Sequence, residues 1–364
     1  MTASFGRVTA RWLTLGAIFV LASACTSVPT QELSQYRQAF AATQTASEAV
    51  LMDFADALHS AAARERAAVP TAEPAGGINA RLENGGSKPP DAVEVRRRAV
   101  RTIDQFNSVI TTLAEGKSVS EVQGTASGFI NAAQSFVVAA GGNAVPGLSS
   151  LTGVVNTLLS QIEQARARAE FEQAVRSGAP IIAAILQTLV EEREQHMLLR
   201  VQEANLREVV ILDEITTRAA ALRSLIGDHS APGRNDPRAS IQEMLNAALT
   251  PTQSQLTFKL PLQLAYQSGK PALTTEQALL AQEISANVKQ WSDAFVANRA
   301  AIESLRAALN NYGLLLNQTQ SALNAVVSNL GRPQSLQQIS ENLLGVAFEL
   351  KSNLEAYGAA RKGA

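Results

Sequence analysis

The sequence is poor in the residues on which most catalytic and metal sites depend. It has one cysteine, Cys25, so no disulfide can form within the chain. Its three histidines, His59, His196 and His229, lie far apart in dissimilar contexts. Aromatic residues make up 5% of the chain, which is more typical of helix bundles than of β-rich or catalytic α/β folds.

Short motifs of the common enzyme classes are also absent from the sequence. It contains no G-x-S-x-G, P-loop, H-E-x-x-H or G-x-G-x-x-G pattern. Glu192 and His196 are the best metal candidates, but a di-metal bundle needs Glu-x-x-His, and Arg193 occupies that place. We interpret this stretch as a charged helix face exposed to water. We therefore predict a protein that is not an enzyme and binds no cofactor or metal.

The first 24 residues have the features of a secretory signal. Arg7 and Arg11 supply positive charge, and residues 12–24 form an uncharged, largely apolar run of 13 residues. That run is short for a membrane span, which needs about 20 residues. Removing this segment changes the formal net charge from −1 to −1 − 2 = −3, which gives no reason to expect nucleic acid as a partner.

The apolar run ends in LASAC, with small residues directly before Cys25. This sequence resembles the lipobox of bacterial lipoproteins, although Leu21 stands one position further from the cysteine than in most members. The resemblance implies cleavage between Ala24 and Cys25, and lipidation of Cys25. Thr26 in place of aspartate implies sorting to the outer membrane, on its periplasmic face. Membrane lipid and an envelope protein are the partners that we expect.

Apolar residues at helical spacing dominate the rest of the chain. They predict an all-α fold, an elongated bundle of long, amphipathic, coiled-coil-like helices. The predicted helices cover about 30–69, 91–114, 119–140, 148–177, 180–226, 238–249, 284–330 and 335–357. The predicted organisation is a signal peptide (1–24), a lipidated N-terminus with the first helix (25–69), a Pro/Gly loop (70–90), a first helical part (91–250), an extended insert (251–271) and a second helical part (272–364).

The helix over 284–330 has the most regular pattern. Fourteen positions step by four and three without a miss, and twelve of them are apolar or aromatic. Asn298 and Thr319 interrupt this seam. We interpret them as half-exposed; the alternative is a polar seam residue that fixes the register of the helices at some cost in stability. Another local signal is the S-x-x-E capping box of Ser118 and Glu121, which predicts a helix start.

Residues 122–162 form a stretch of 41 residues without one charged side chain. They predict two apolar helical arms around a Gly/Pro turn. We expect this hairpin to be the central pair of the bundle, hidden from water on all sides. The alternative is a membrane-inserting hairpin over 128–159, in which Phe136, Val137 and Val138 would enter the lipid.

Residues 255–266, QLTFKLPLQLAY, break the helical pattern with strict alternation. Every second position is apolar or aromatic: Leu256, Phe258, Leu260, Leu262, Leu264 and Tyr266. Three explanations stay open. The segment is a strap along a groove of the bundle, a strand paired with another part of the chain such as 70–90, or an edge that meets a second chain or a membrane. Pro261 argues against a central strand because proline cannot donate to a ladder.

Two hypotheses for function follow from these features. The first is a lipid-anchored, non-enzymatic helical scaffold or adaptor that binds other components of the cell envelope. The second is a membrane-active oligomer that inserts hairpin 128–159 or strand 256–266. A long bundle with an uncharged hairpin and an amphipathic insert loosely resembles the α-helical pore-forming toxins, in architecture alone.

Overall fold

The computed structural model describes residues 30–68, 91–141, 145–225, 275–330 and 335–363. These ranges form helices and contain no strand, which confirms the all-α class. The helices are α1 (Thr30–Ala68), α2 (Asp91–Ala114), α3 (Val119–Ala140), α4 (Pro146–Ser149), α5 (Thr152–Gln164), α6 (Arg168–Leu225), α7 (Thr275–Ser328) and α8 (Gln337–Gly363). Cys25 and the predicted extended segment 255–266 lie outside the described residues.

The chain divides into two units. Unit 1 comprises Met1–Leu199 and Arg306–Leu354, and unit 2 comprises Arg200–Leu305 and Glu355–Ala364. The boundaries fall within α6, α7 and α8, so each of these helices contributes residues to both units. The sequence analysis divided the chain into one helical part before insert 251–271 and one after it. Each unit of the structure instead combines residues from before and after this insert.

Helix α2 lies at the centre of the unit 1 core. Fourteen of its 24 residues are buried, too many for a helix that contacts neighbours on a single side. Helices α1 and α3 pack against it. The Phe106 ring on α2 lies 5.5 Å from the Phe129 ring on α3, centroid to centroid. The Tyr36 hydroxyl on α1 donates a 2.8 Å hydrogen bond to Asn107 Oδ1, so the polar groups in this core are paired as well.

The turn between α2 and α3 follows from local chemistry. Gly116 has φ +72°, a left-handed conformation that glycine adopts without steric cost, and it follows the last turn of α2. Ser118 then caps α3: its Oγ accepts from the Glu121 backbone N–H, while the Glu121 carboxylate accepts from Ser118 N at 3.0 Å. The predicted capping box is confirmed.

The predicted helix over 148–177 was wrong, because the chain breaks between α5 and α6. Ala165 is extended, with ψ 131°, and the next helix begins at Arg168. The Glu170 carboxylate accepts hydrogen bonds from the backbone N–H groups of Arg166 (2.5 Å) and Ala167 (3.1 Å). Glu170 thus satisfies free donors at the new helix start, a role that apolar spacing does not reveal.

The predicted helix start at Pro180 was also wrong, since Pro180 lies inside α6. Proline removes one backbone hydrogen bond from a helix interior, which usually ends or kinks the helix. The buried face of α6 nevertheless continues through this point, from Val175 and Ala179 to Ile182 and Ile185. Packing on this face compensates for the missing hydrogen bond.

Arginines of α6 bind the carboxyl ends of two other helices in unit 1. Arg176 donates to the carbonyls of Val327 (2.9 Å) and Leu330 (3.3 Å), at the end of α7. Arg168 donates to the Leu113 carbonyl at the end of α2. The last carbonyls of a helix have no partner within that helix and carry partial negative charge. A guanidinium group supplies both hydrogen-bond donors and a compensating positive charge at this end.

The seam of α7 is buried as predicted for most of its length, from Val288 to Leu330. The interpretation of Asn298 and Thr319 as half-exposed was wrong, because both are buried. In unit 2 the Asn298 side-chain amide donates to the Ala204 carbonyl at 3.0 Å. In unit 1 the Thr319 hydroxyl donates to the Leu315 carbonyl at 2.7 Å. Because both side chains donate hydrogen bonds to backbone carbonyls, these polar residues can be buried inside the seam.

Unit 2 has an apolar core between α6 and α7. Ile211 and Ile215 of α6 pack with Ala294 and Phe295 of α7, and Leu212 and Trp291 cover this cluster. Nearer the start of α6, Glu208 pairs with Arg299, whose guanidinium lies 5.3 Å above the Phe295 ring. The pairing of later α6 residues with earlier α7 residues shows that the two helices run antiparallel within unit 2.

We predict that Gly178→Ala destabilises the protein, because a Cβ atom at Gly178 would lie 2.6 Å from the Leu158 side chain and 3.1 Å from Phe106. Overpacking of this kind typically costs ~1–3 kcal/mol. The control is Gly124→Ala, at an exposed helical position with nothing within 4 Å. It should raise the free energy of unfolding by ~0.5–1 kcal/mol. Urea denaturation of both variants measures the difference, and equal effects would contradict close packing at Gly178.

Candidate functional site

The three residues proposed for membrane insertion have different environments on α3. Phe136 is 0% exposed, Val137 is half-buried and Val138 is 77% exposed. The expectation that the uncharged hairpin is hidden from water on all sides was wrong. Helix α3 buries one face and exposes the other, and α5 likewise alternates between buried and exposed positions. The absence of charge therefore does not mark a fully enclosed helix.

The exposed side of α3 is an uncharged, mostly polar surface. Its members recur at helical spacing within about one third of the helix circumference. We call it the α3 face and define it by Gln123, Ser127, Asn131, Gln134 and Val138, all exposed.

The buried side of α3 fixes this surface in place. Phe129, Ala133 and Phe136 are fully buried on that side. Arg98 of α2 donates a 3.0 Å hydrogen bond to the Ser135 carbonyl and a 2.8 Å hydrogen bond to Glu94. Apolar packing and this polar contact together hold the backbone under the α3 face.

A buried ion pair links α2 to α6 inside unit 1. Arg96 is 4% exposed, and its Nε donates to the Glu192 carboxylate at 2.9 Å. Its other nitrogens donate to the Ala92 carbonyl at 2.8 Å and to the Gln195 side chain at 3.4 Å. All the guanidinium nitrogens of Arg96 thus have acceptors.

The pKa values of this pair show the cost of its burial. Burial lowers the pKa of Arg96, and Glu192 opposes that shift. Burial likewise raises the pKa of Glu192, and Arg96 opposes that shift. In both groups desolvation outweighs the attraction of the partner. This is the behaviour expected of an ion pair in a low-dielectric interior.

A second polar pair joins α6 to α1 nearby. His196 is 2% exposed, and its Nε2 lies 2.8 Å from Asp53 Oδ2. The Phe54 ring packs against the His196 ring with centroids 4.9 Å apart, and the Arg96 guanidinium lies 4.7 Å from the Phe54 centroid. Phe54 therefore connects the two pairs. We call Asp53, Arg96, Glu192 and His196 the polar cluster.

The polar cluster corrects the interpretation of Glu192 and His196 as a solvated helix face. Sequence reasoning missed it because the partners lie far away in the chain: Arg96 precedes Glu192 by 96 residues and Asp53 precedes His196 by 143. One signal was present. Arg96 lies three residues after Val93 and three before Ala99, on the apolar side of α2, so burial of that side encloses Arg96.

A small cavity adjoins the polar cluster. Its volume is about 20 Å³, and Arg96, Glu192, His196 and Tyr312 are among the lining residues. The Tyr312 hydroxyl is buried beside Ser47 without a well-formed hydrogen bond among the described residues, and burial raises the pKa of Tyr312. A water molecule needs ~10–15 Å³. The cavity therefore has room for one water, and none for a substrate.

Unit 2 contains a charge cluster of its own. The Glu203 carboxylate lies 2.6 Å from Arg200, 3.4 Å from Arg361 and 3.6 Å from Arg207. Arg200 is buried, and Arg207 and Arg361 are partly exposed. Glu203 thus joins α6 to the end of α8 within this unit.

Within the described ranges, no group of three or more His, Cys, Asp or Glu side chains is placed to hold a metal ion. One helical stretch of the described chain, Arg168–Leu222, is long and apolar enough to cross a membrane, by length and composition only. Core helices of soluble proteins meet the same criterion.

No protein-family model matches the chain, and neither a curated protein nor a solved structure is significantly similar to it. The class that the structure establishes is an all-α helical bundle protein.

We predict that the ion pair of the polar cluster acts as a unit. Arg96→Met leaves the buried Glu192 carboxylate without its partner and should lower the free energy of unfolding by ~3–5 kcal/mol. Glu192→Met should cost a similar amount. The double variant should cost much less than the sum, because no uncompensated charge remains.

The control for these three variants is the exposed ion pair of Lys289 and Asp293, whose side chains are 70% and 66% exposed. Lys289→Met should change the free energy of unfolding by no more than ~0.5 kcal/mol. Urea denaturation at one pH and salt concentration measures all four variants. Additive losses at Arg96 and Glu192 would show that the pair is not coupled.

Proposed function

We propose that the protein is a lipid-anchored, non-enzymatic scaffold of the bacterial cell envelope, which binds another envelope protein through the α3 face. The LASAC sequence that ends at Cys25 supports the anchor. The observation that carries the binding role is the α3 face itself, an exposed surface without charge on a helix whose other side is packed into unit 1.

The composition of the α3 face suits a protein partner. The cores of protein interfaces are depleted in charged residues, because a charge that loses its water needs a compensating partner. Gln, Asn and Ser side chains can exchange water for hydrogen bonds with a partner at lower cost. Val138 adds an exposed apolar group at one end of the α3 face.

The neighbouring surface of unit 1 has a different character. Arg97 of α2 pairs with Glu48 of α1 at 2.5 Å, and Arg37 of α1 pairs with Glu115, directly after α2, at 2.8 Å. Charges on that side are engaged with one another at the surface. The α3 face lacks such pairs, so a partner can cover it without breaking any.

Packing of the buried side of α3 also means that the α3 face is already formed before a partner binds. The hydrogen bond of Arg98 to the Ser135 carbonyl and the buried Phe136 fix the backbone next to Gln134. Little conformational entropy is then lost on binding, and a rigid face can bind a partner with a modest contact area.

The anchor is tested by metabolic labelling of the cells with a palmitate analogue. We expect Cys25→Ala to abolish both the label and the recovery of the protein with the membrane fraction. Ser27→Ala should leave both unchanged, because Ser27 follows the LASAC sequence and is not part of it. Labelling of the Cys25→Ala variant would contradict the anchor.

Binding through the α3 face is tested in cells with a photo-crosslinking amino acid. At Gln134 we expect crosslinks to one recurrent envelope protein, identified by mass spectrometry. Lys289, exposed on α7, is the control position and should give none of this product. Val138→Glu should reduce the Gln134 product, because it places a charge in the contact, and folding should be retained since Val138 is 77% exposed.

Two outcomes would contradict the scaffold proposal. One is the same crosslinking pattern at Gln134 and Lys289. The other is leakage of dye from liposomes with the purified protein, lost in Val138→Glu, which would favour membrane insertion. The Val138 variant suits this test better than one at Phe136, because a charge at the fully buried Phe136 would unfold the protein.

A further inference from the structure

A groove of about 430 Å³ lies between α1 and α2 within unit 1. Ligand pockets in proteins have volumes of roughly 300–1,000 Å³, so this groove has room for a small molecule. Helix α1 contributes Gln44 and Glu48 to its lining, and α2 contributes Glu94 and three arginines. We call this space the α1–α2 groove.

The three arginines lie on one side of α2. Arg97, Arg98 and Arg101 all line the α1–α2 groove, and their spacing places them within about one third of the helix circumference. The acidic residues of the lining are Glu48 and Glu94. Three positive charges against two negative charges leave the groove with an excess of one positive charge.

Arg97 and Arg98 are held by neighbouring groups but keep unused N–H donors. The Nε of Arg98 donates to Glu94 at 2.8 Å and its Nη1 donates to the Ser135 carbonyl at 3.0 Å. Its Nη2 has no acceptor among the described residues. The Nη2 of Arg97 lies 2.5 Å from Glu48, while its Nη1 lies 3.7 Å from Glu94, beyond hydrogen-bond distance. Both guanidinium groups are thus positioned with donors to spare.

Arg101 and Gln44 add further donors to the α1–α2 groove. Arg101 is exposed and donates no hydrogen bond to any residue that the structure describes. Asp104, one turn further along α2, does not line the groove and forms no ion pair with Arg101 in the described ranges. The Gln44 amide on α1 has no hydrogen-bond partner within these ranges either. Unused N–H donors therefore line the groove from both helices.

These donors suit a phosphate group. A guanidinium group binds phosphate oxygens through paired, charge-assisted hydrogen bonds. A tetrahedral phosphate presents oxygens in several directions, so it can accept from Arg98 and Arg101 on one helix and from Gln44 on the other. A carboxylate presents two oxygens in one plane and reaches fewer of these donors. The excess of one positive charge also matches a phosphodiester, which carries one negative charge.

We infer that the α1–α2 groove binds a phosphate group, carried by a free phosphate compound or by a phospholipid headgroup. Arg98 and Arg101 donate to its oxygens from α2, and Gln44 donates from α1. Arg97 stays paired with Glu48 beside the ligand. This inference is independent of the α3 face and of the proposed scaffold function.

Isothermal titration calorimetry tests this binding with the full-length protein in a neutral detergent, at low ionic strength where charges are screened least. The probes are inorganic phosphate and glycerophosphoglycerol, the water-soluble headgroup of phosphatidylglycerol. We expect at least one probe to bind, and Arg101→Gln to weaken that binding roughly tenfold because it removes a charge and its donors. Arg37→Gln is the matched control and should leave the affinity unchanged, since Arg37 is 49% exposed in unit 1 and does not line the groove.

Glu48→Gln supplies a second variant, which should tighten the binding several-fold because it removes a negative charge from the α1–α2 groove. A gain in affinity cannot arise from loss of folding, and circular dichroism shows whether each variant keeps its helix content. Tighter binding of inorganic phosphate identifies a free phosphate compound as the ligand, and tighter binding of the headgroup identifies a lipid. Binding of neither probe, equal weakening by Arg101→Gln and Arg37→Gln, or weaker binding by Glu48→Gln would overturn the proposal.

Discussion

A charge buried in a protein must keep its partner, and Arg96 imposes this constraint on unit 1. Arg96 pairs with Glu192 of α6, and the buried His196 of α6 pairs with Asp53 of α1. Nearer the surface, Arg168 and Arg176 of α6 bind the carboxyl ends of α2 and α7. Apolar residues pack in several registers at similar cost, whereas a buried hydrogen bond is lost after a shift of one residue. The polar contacts of α6 therefore specify the register that the apolar seams leave open.

This arrangement separates the residues of unit 1 that stabilise its core from those that are exposed on α3. Charged groups that would be unusual in a core are accepted there because each meets a partner on a neighbouring helix. Helix α3 contributes none of these charges between Val122 and Ala140, and it is held by Phe129, Phe136 and the Arg98 contact to its backbone. Its outer side is thus available for recognition without weakening the interior.

Local periodicity predicted most of the fold, and the features that it missed depend on distant contacts. The bounds of α1, α2 and α3 and the long seam of α7 follow from spacing and caps within a few residues of chain. The break before Arg168 depends on the Glu170 cap, and the continuity of α6 through Pro180 depends on packing along its buried face. The burial of Asn298 required the Ala204 carbonyl, 94 residues earlier. The absence of charge over 122–162 drew attention to Phe136, Val137 and Val138 as candidates for membrane insertion, but only the fold separated exposed Val138 from buried Phe136.

The absence of charge on the α3 face has a consequence for the proposed binding of a partner there. Ionic strength acts on protein association by screening charges over a Debye length of ~8–10 Å in physiological salt. A contact formed by amides, hydroxyls and Val138 has no charge to screen at its centre, so its dissociation constant would change little with salt. Its association rate would also lack electrostatic acceleration. Such a contact is suited to a compartment whose ion content follows the surroundings of the cell.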